Sequence, residues 1–422
     1  MLFLKLFGYI LPIIISIFVI YILVGIYRYN KNYINLDSHN FDKNKIFILV
    51  PLYNEKLENF KLQINLYKKY NILYILNGSL EPYKSILEEN NIRYIYIDEK
   101  NKKKAVWTGL DYIKKFNPEY ILLLDSDTII TDKDIIEGLN YIEKFNISAL
   151  SFNILYYGNN IYNDLISLIN QTFIYINKGF TGNNRCHFLY GQCILGKFGD
   201  IYDAYKLISE KYINKKLGDD RLLASILINN NKKIFYLDNN YIITEGINSF
   251  NELIKKFTRY MRSLIIISII DIKERYIFKK SIFYYLYLFI SFLPLVLYIY
   301  NFYTILGFIL SSKHLSIYIV KGLFYKILYI NIVSDIRFLY NLIFYKNWIS
   351  HLFNYPHIFV HLLYILFKYF VISFYMISIY AIYIKYIHKK SPILLYMLFS
   401  FIYPFILFYS LFTFFKDDWL TR

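Results

Sequence analysis

Two carboxylates stand at the end of a short apolar run in the first third of the chain. Asp125-Ser126-Asp127 directly follows Tyr120–Leu124, whose composition predicts a buried β-strand. Ligands bind at the carboxyl edge of parallel sheets, and this strand would deliver both acids to that edge. Two acids separated by one residue can face one Mg²⁺ or Mn²⁺ ion, which in turn holds a diphosphate. A solvated turn is the alternative for so short a motif.

A second acidic pair, Asp219 and Asp220, lies between Gly218 and Arg221 and precedes apolar residues at helical spacing. The pair is therefore expected near a helix N-terminus, where the helix dipole favours an ionised carboxylate. A carboxylate there can act as a general base toward a hydroxyl if a substrate pocket lies against it. Capping of the helix is the alternative.

The first predicted strand, Ile46–Val50, runs into Pro51-Leu52-Tyr53-Asn54-Glu55. Tyr53 can stack on a base, and Asn54 or Glu55 can accept hydrogen bonds from a ribose or a base edge. The alternative is a plain strand-to-helix turn in which Asn54 caps the next helix. Lys102, with the two lysines after it, forms a cationic group before another predicted helix.

A basic amphipathic helix is predicted after Ser249. Its apolar side comprises Leu253, Ile254, Phe257, Tyr260, Met261 and Leu264, and its basic side comprises Lys255, Lys256, Arg259 and Arg262. Arginines on the basic side could bind a diphosphate through bidentate hydrogen bonds. Docking of the same side on anionic lipid is the alternative, and both can hold together.

The composition excludes several classes of protein. Of 422 residues 56% are hydrophobic, 21% aromatic and only 19% charged, which excludes a disordered or fibrous chain. The formal charge of +17 favours anionic partners, but no nucleic-acid-binding module is recognisable. The two cysteines, Cys186 and Cys193, are expected to be packed thiols in a reducing compartment. A serine–histidine triad, a P-loop and a dinucleotide fingerprint are all missing from the sequence.

The elements that must position these residues form an α/β pattern from about residue 45 to residue 248. Short apolar runs, Ile46–Val50, Ile72–Leu76, Tyr94–Ile97 and Tyr120–Leu124, alternate with helical stretches such as Glu55–Tyr70 and Lys102–Phe116. Parallel strands need such crossover helices, so the fold class is α/β with a mixed, mainly parallel sheet.

Membrane segments are expected on both sides of this domain. Residues 1–30 predict an N-terminal transmembrane anchor whose C-terminal end is cytosolic, because Arg28 and Lys31 follow the apolar run. Residues 249–280 predict amphipathic interface helices, and residues 281–415 predict about four transmembrane helices. Their bounds are Ile282–Leu310, Leu315–Phe344, Ile358–Ile387 and Ile393–Phe415, the second being interrupted by charges.

Taken in order, these motifs resemble those of membrane-embedded, processive family 2 glycosyltransferases, most closely the hyaluronan, chitin and cellulose synthase group. The matching segments are Val50–Glu55, Asp125–Asp127, Tyr190-Gly191-Gln192, Gly218–Arg221, Lys256–Tyr260, Phe408–Thr413 and Trp419–Arg422. The last is similar to the Trp-Gly-Thr-Arg gating element of hyaluronan synthases. The resemblance implies a GT-A-like (Rossmann-like) catalytic domain and a C-terminal gating segment over residues 416–422.

The resemblance also implies a role for each matching residue. Asp220, with Asp219, would be catalytic, and Asp125 and Asp127 would bind Mg²⁺ or Mn²⁺. The nucleotide would contact Tyr53, Glu55, Lys102, Asp125, Arg259, Tyr260 and Trp419, and the acceptor would contact Gly191, Gln192 and Arg221.

The sequence departs from the family pattern at several places. Leu76-Asn77-Gly78-Ser79 stands where an Asp-rich turn is expected, so an acidic nucleotide contact is missing or comes from elsewhere. Lys256 and Tyr260 replace the Gln and Trp of the Gln-x-x-Arg-Trp motif, and Leu420 replaces the Gly of the gating element. Residues 315–356 are additional to the hyaluronan synthase pattern.

The implied activity is inverting transfer of sugar from a nucleotide-diphosphate sugar, expected to be a UDP sugar, to a growing polysaccharide that is then secreted. The expected partners are this donor, a carbohydrate acceptor and the lipid bilayer. The expected location is the plasma (inner) membrane, multi-pass, with the catalytic domain in the cytosol. Two alternatives stay open: transfer of a single sugar to a lipid-phosphate carrier, and an inactive membrane scaffold or transporter.

Overall fold

A computed structural model describes residues 2–32, 42–158, 160–214, 218–292 and 392–414. The chain divides into two compact units, one made of residues 1–19 and 286–389 and the other of residues 20–285 and 390–422. The described part of the first unit is helical. The second unit contains the sheet.

An eight-stranded mixed sheet forms the centre of the second unit, with strand order β3-β2-β1-β4-β7-β6-β8-β5. Its neighbours pair in parallel except at β4–β7, β6–β7 and β5–β8. The strands are β1 Ile46–Leu52, β2 Asn71–Asn77, β3 Arg93–Ile97, β4 Tyr120–Leu124, β5 Thr128–Ile130, β6 Ala149–Tyr157, β7 Cys193–Lys197 and β8 Ile234–Glu245. The predicted mixed, mainly parallel sheet is thus confirmed.

Ten helices with defined bounds accompany the sheet. They are α1 Leu2–Asn32, α2 Leu57–Tyr67, α3 Tyr83–Glu89, α4 Lys102–Ile113, α5 Asp132–Phe145, α6 Ile161–Gly182, α7 Phe198–Tyr212, α8 Asp219–Asn229, α9 Phe250–Lys273 and α10 Pro392–Thr413. A 3₁₀ turn, Tyr276–Lys279, follows α9, and residues 282–292 are also helical.

Two apolar cores cover the two faces of the sheet. Side chains of α2, α3 and α5 pack on one face, and side chains of α4, α7 and α8 pack on the other. Because both faces are covered, all seven residues of β1 are buried, as its continuous apolar run requires. Cys186 and Cys193 are free and buried, so the prediction of packed thiols is confirmed.

The turn after β1 differs from the capping alternative considered for Asn54. Asn54 has a left-handed φ of 47°, and Lys56 is the residue that precedes the first turn of α2. The predicted helix Glu55–Tyr70 is therefore shorter at both ends, and Asn54 does not cap it. A left-handed residue cannot belong to the helix, so the chain turns before α2 begins.

α9 confirms the predicted apolar side and corrects the predicted basic side. Leu253 and Phe257 are buried in a core with α6 and Ile406 of α10. Arg262, predicted on the exposed basic side, is only 4% exposed. Its Nε donates to Thr413 Oγ1 of α10 at 3.0 Å, because α10 covers this side of α9. Arg262 is thus a packing residue between two helices rather than a surface cation.

The expected membrane segments are tested only in part by the described residues. Among the helices in the described ranges, none is both long enough and apolar enough to cross a bilayer. Residues 293–391, which hold most of the predicted C-terminal spans, lie outside the described residues, as does the predicted gating segment 416–422.

The second half of α1 packs on α6 through glycines. A Cβ atom added at Gly25 would lie 1.9 Å from the carbonyl oxygen of Gly179, and one added at Gly182 would lie 1.9 Å from that of Gly25. The two backbones therefore touch directly. Nearby, the hydroxyl of the buried Tyr29 accepts a hydrogen bond from the Asp238 backbone N–H of β8 at 2.9 Å. These contacts hold residues 25–29 of α1 against α6 and β8 within the second unit.

Candidate active site

Strand pairing brings two of the predicted motifs together. β4 and β7 are antiparallel, with Leu124 opposite Cys193, so the residues after β4 meet the residues before β7. The Asp125 backbone N–H donates to the Gln192 carbonyl oxygen at 2.9 Å. The predicted acceptor segment therefore lies against the predicted metal motif. The two segments are far apart in the sequence, which gives no sign of this contact.

Lys102 joins both segments from the start of α4. Its Nζ lies 2.5 Å from Asp125 Oδ1 and 3.4 Å from the Gly191 carbonyl oxygen. Lys102 is placed there by Asn101, whose side chain accepts from the Lys104 N–H and caps α4. The Asn101 N–H in turn donates to Asn77 Oδ1 at 3.0 Å. Asn77 belongs to the segment that replaces the expected Asp-rich turn, and it thus helps to position Lys102.

The second acidic pair reaches the same place from α8. Gly218 precedes the helix, and Asp219 and Asp220 form its first turn, as predicted. Asp220 Oδ2 accepts from the Gly191 N–H at 3.3 Å, and Asp219 Oδ2 accepts from the Tyr205 hydroxyl at 3.1 Å. Gly191 thus contacts Lys102 through its carbonyl oxygen and Asp220 through its N–H.

A small cavity lies between these groups. Its lining includes Pro51, Lys102, Asp125, Gly191, Tyr205 and Asp219. These residues come from β1, α4, α7, α8 and the loops after β4 and before β7. Four predicted site residues therefore share one cleft at the carboxyl edge of the sheet.

The carboxylates of the cleft influence one another electrostatically. Burial raises the pKa of Asp125 to about 6; Lys102 opposes this shift, and the charge of Asp127 adds to it. Burial also raises the pKa of Asp220, with a further contribution from Asp219. Burial alone would lower the pKa of Lys102, but the carboxylates of Asp125, Asp219 and Asp220 raise it overall. Lys102 is therefore a permanent cation within an acidic cluster.

Asp127 is the second carboxylate of the Asp-Ser-Asp turn. Its Oδ1 accepts from the Thr128 hydroxyl at 3.1 Å and from the Thr244 hydroxyl at 3.4 Å. Gln63, which sequence reasoning missed, donates to the carbonyl oxygens of Asp125 and Thr128 and fixes the turn from α2. No sequence signal distinguishes this buried glutamine from the exposed polar residues of α2.

Two further residues predicted to contact the nucleotide lie near the end of β1. The Tyr53 side chain is exposed, and Lys100 Nζ lies 5.0 Å from its ring centroid. Glu55 Oε2 accepts from the Ser126 hydroxyl at 3.1 Å, and its Oε1 accepts from the Asn59 amide. Glu55 thus holds the Asp-Ser-Asp turn to α2.

The remaining predicted residues connect the cleft to α9. Arg221 Nη1 donates to the Tyr260 carbonyl oxygen at 3.2 Å. Arg259 is half-buried beside Tyr260. Trp419 lies outside the described residues.

The donor set fits a divalent cation that takes some of its ligands from a substrate. In the described part of the chain, no three or more His, Cys, Asp or Glu side chains form a complete metal site. Mg²⁺ and similar hard cations are bound by one or two carboxylates together with substrate phosphates and water. Asp125 and Asp127 would supply the two carboxylates, which lie close enough together for the charge of Asp127 to add to the rise that burial causes in the pKa of Asp125.

A comparison with known protein families matches a part of the chain that contributes to this cleft. The family described as Glycosyl transferase family 2 matches residues 47–204, which include β1 to β7, Lys102, Asp125 and Gly191. The chain carries a family 2 glycosyltransferase domain. The prediction of a glycosyltransferase is therefore confirmed, and the matched segment ends before the acidic pair of α8. No curated protein matches the sequence.

Solved structures of similar fold include two nucleotide-sugar enzymes. The mannosyltransferase from Pyrobaculum calidifontis, in complex with GDP-Man and Mn²⁺, is 11% identical; the similarity covers 61% of this chain and 74% of that one, with a TM-score of 0.42. Glucosyl-3-phosphoglycerate synthase from Mycobacterium tuberculosis, in complex with Mn²⁺, UDP and glucosyl-3-phosphoglycerate, is 10% identical. That similarity covers 55% of this chain and 85% of the synthase, with a TM-score of 0.37.

Proposed function

We propose that this glycosyltransferase is an inverting enzyme that uses a nucleotide-diphosphate sugar, specifically a UDP sugar, with Mg²⁺ or Mn²⁺. The observation that carries the proposal is the double contact of Gly191. Its carbonyl oxygen faces Lys102, which is paired with Asp125, and its N–H is bonded to Asp220. A cation-binding carboxylate and a candidate base are thus linked through one residue.

The chemistry is a single displacement. Asp220 takes the proton of an acceptor hydroxyl as that oxygen attacks the anomeric carbon of the donor sugar. The bond from this carbon to the diphosphate oxygen breaks, and the electron pair leaves with the nucleoside diphosphate. Inversion follows from one displacement, and no nucleophile of the enzyme is required.

Charge that develops on the leaving diphosphate must be compensated. A divalent cation held by Asp125 and Asp127 supplies electrostatic stabilisation of that charge when it is bound. Lys102 adds a positive charge from the protein. Arg259, which precedes Tyr260 in α9, would add a bidentate contact to the diphosphate. Preorganised charges of this kind act without further reorganisation during the reaction.

The acceptor is proposed to be a growing polysaccharide, and the enzyme is proposed to act at the cytosolic face of the plasma membrane. The support is the order of motifs along the chain and the apolar sequence between residues 281 and 415. In this proposal the C-terminal segments provide a path for secretion of the polymer, and Trp419 gates the nucleotide site.

The test is metal-dependent release of UDP by purified protein across UDP-GlcNAc, UDP-GlcA, UDP-glucose and related donors. Gel filtration of the labelled products then measures their size. Products of high molecular mass are expected. Lipid products carrying one sugar would reject the polymerase, and no release from any nucleotide sugar would reject the transferase itself.

A further inference from the structure

A buried ion pair lies beside α8, away from the catalytic cleft. Lys280, just after the 3₁₀ turn that follows α9, pairs with Asp271 of α9 at 2.5 Å, and their side chains are 1% and 4% exposed. Lys280 Nζ also donates to Ser225 Oγ of α8 at 2.9 Å, and Ser225 is buried as well. One ammonium group therefore joins α8 to the far end of α9.

The start of α8 is joined to the middle of α9 by separate contacts. The Gly218 N–H, immediately before α8, donates to Ser263 Oγ of α9 at 3.3 Å. Arg221, in the first turn of α8, donates to the Tyr260 carbonyl oxygen at 3.2 Å. α8 is thus attached to α9 at its start and again at Ser225, which fixes both its position and its rotation.

The two helices carry opposite parts of the proposed reaction. Asp220, the proposed base, lies in the first turn of α8, and Arg259, the proposed diphosphate contact, lies on α9. The distance between acceptor proton and leaving group depends on how these helices are set against each other. Small displacements of reacting groups have large effects on rate, because the reaction needs aligned atoms.

We propose that Lys280 and Asp271 are positioning residues that hold α8, through Ser225, in the alignment that Asp220 needs for catalysis. This inference rests on the proposed function. The pair touches neither donor nor acceptor in this scheme; it acts through the helix that carries the base. Buried ion pairs are poor sources of stability because desolvation offsets their attraction, whereas their directional bonds can set the geometry of the elements they join.

The experiment must separate geometry from stability. Removing one partner leaves an unpaired buried charge and is expected to destabilise the fold, so the informative variant replaces both. Lys280→Met with Asp271→Asn keeps the volume of both side chains and removes both charges. We expect a melting temperature close to that of the parent protein, kcat at least tenfold lower, and a donor KM changed less than twofold.

The matched control is the ion pair of Lys178 and Asp238, whose side chains are 11% and 19% exposed and which joins α6 to β8. Lys178→Met with Asp238→Asn should leave kcat unchanged. An equal loss of kcat in this control would overturn the proposal, because the effect would then be a general loosening of the domain.

Ser225→Ala gives a second, milder test. It removes the bond to α8 and leaves the Lys280–Asp271 pair intact, so kcat should fall several-fold with the donor KM retained. Parental kcat in Ser225→Ala or in the folded double variant overturns the positioning role while the transferase stands. A parent protein that releases no UDP from any donor rejects the proposed function, and the positioning role with it.

Discussion

The ammonium nitrogen of Lys102 lies 2.5 Å from a carboxylate oxygen of Asp125. In the proposed function, the lysine and a divalent cation would therefore compete for the same carboxylate. A donor diphosphate can resolve this competition, because it offers Lys102 another anionic partner while bringing phosphate oxygens to the cation. The pairing predicts that metal and nucleotide sugar bind cooperatively.

Replacement of Lys102 should affect the cation and the nucleotide in opposite directions. In Lys102→Met, Mn²⁺ should bind about tenfold more tightly without nucleotide, because the lysine charge that competes for Asp125 is removed. A tenfold change in affinity corresponds to about 1.4 kcal/mol of binding free energy. Donor binding should weaken in the same variant. Electron paramagnetic resonance of free Mn²⁺ measures the first effect. Lys104→Met, whose lysine pairs with the exposed Glu99, is the control and should bind Mn²⁺ as the parent does. Unchanged or weaker Mn²⁺ binding in Lys102→Met contradicts the competition.

Asp220→Asn should remove the base and preserve the fold. The amide oxygen can still accept the hydrogen bond from the Gly191 N–H but cannot take a proton at neutral pH. We expect kcat to fall by at least about 10²-fold, the lower range for loss of a general base. Initial rates of UDP release with saturating donor measure the effect. Asp203→Asn, on the exposed side of α7, is the matched control. Parental kcat in Asp220→Asn would exclude this residue as the base.

Stability should depend on pH through His187. Burial lowers the pKa of this imidazole to about 3, with Lys280 and Arg185 adding to the effect. Between pH 6.5 and about 3 the unfolded chain takes up a proton that the folded chain excludes, so the free energy of unfolding falls as the pH drops. From pH 6.5 to pH 5 this loss amounts to about 1.6 kcal/mol.

His187→Phe should flatten that part of the pH profile. The ring contacts of His187 with Phe180 and Tyr284, at centroid distances of 5.1 and 5.0 Å, can be retained by phenylalanine. Chemical unfolding at pH 7 and pH 5 measures the difference between variant and parent. The same loss of stability in both proteins would show that His187 does not titrate in this way.

Gly25→Ala should separate α1 from α6. The added methyl group would meet the Gly179 carbonyl oxygen, and overpacking of this kind costs about 1–3 kcal/mol. Thermal unfolding and limited proteolysis near residue 32 measure the loss. Gly199→Ala is the control, because a Cβ atom at Gly199 has no neighbour within 4 Å. Equal melting temperatures for the two variants would contradict the close contact.

β1, β2 and β4 could be predicted because nearly all of their residues are buried. Tyr120–Leu124 is predicted with the bounds of β4, and the other three predicted strands differ from β1, β2 and β3 by two residues or fewer at either end. Asp125 and the pair on α8 could be predicted because acids that follow a strand or begin a helix are visible in the sequence.

Contacts between distant segments could not be predicted in the same way. Nothing in the sequence indicates that Asn77 positions Asn101, that Tyr205 donates to Asp219, or that Gln63 holds the turn after β4. Helical periodicity alone places Arg262 on the basic side of α9 and gives no sign that Thr413 of α10 packs against it.

The backbone contact between α1 and α6 bears on how a shortened protein should be made. A catalytic fragment that begins at β1 would lose the helix that fills the surface around Gly179 and Gly182, and it would leave Asp238 without its Tyr29 partner. Such a fragment would expose an apolar groove that α1 normally fills, and it would tend to aggregate. Expression clones for crystallisation should therefore retain the chain from Ile20 onward.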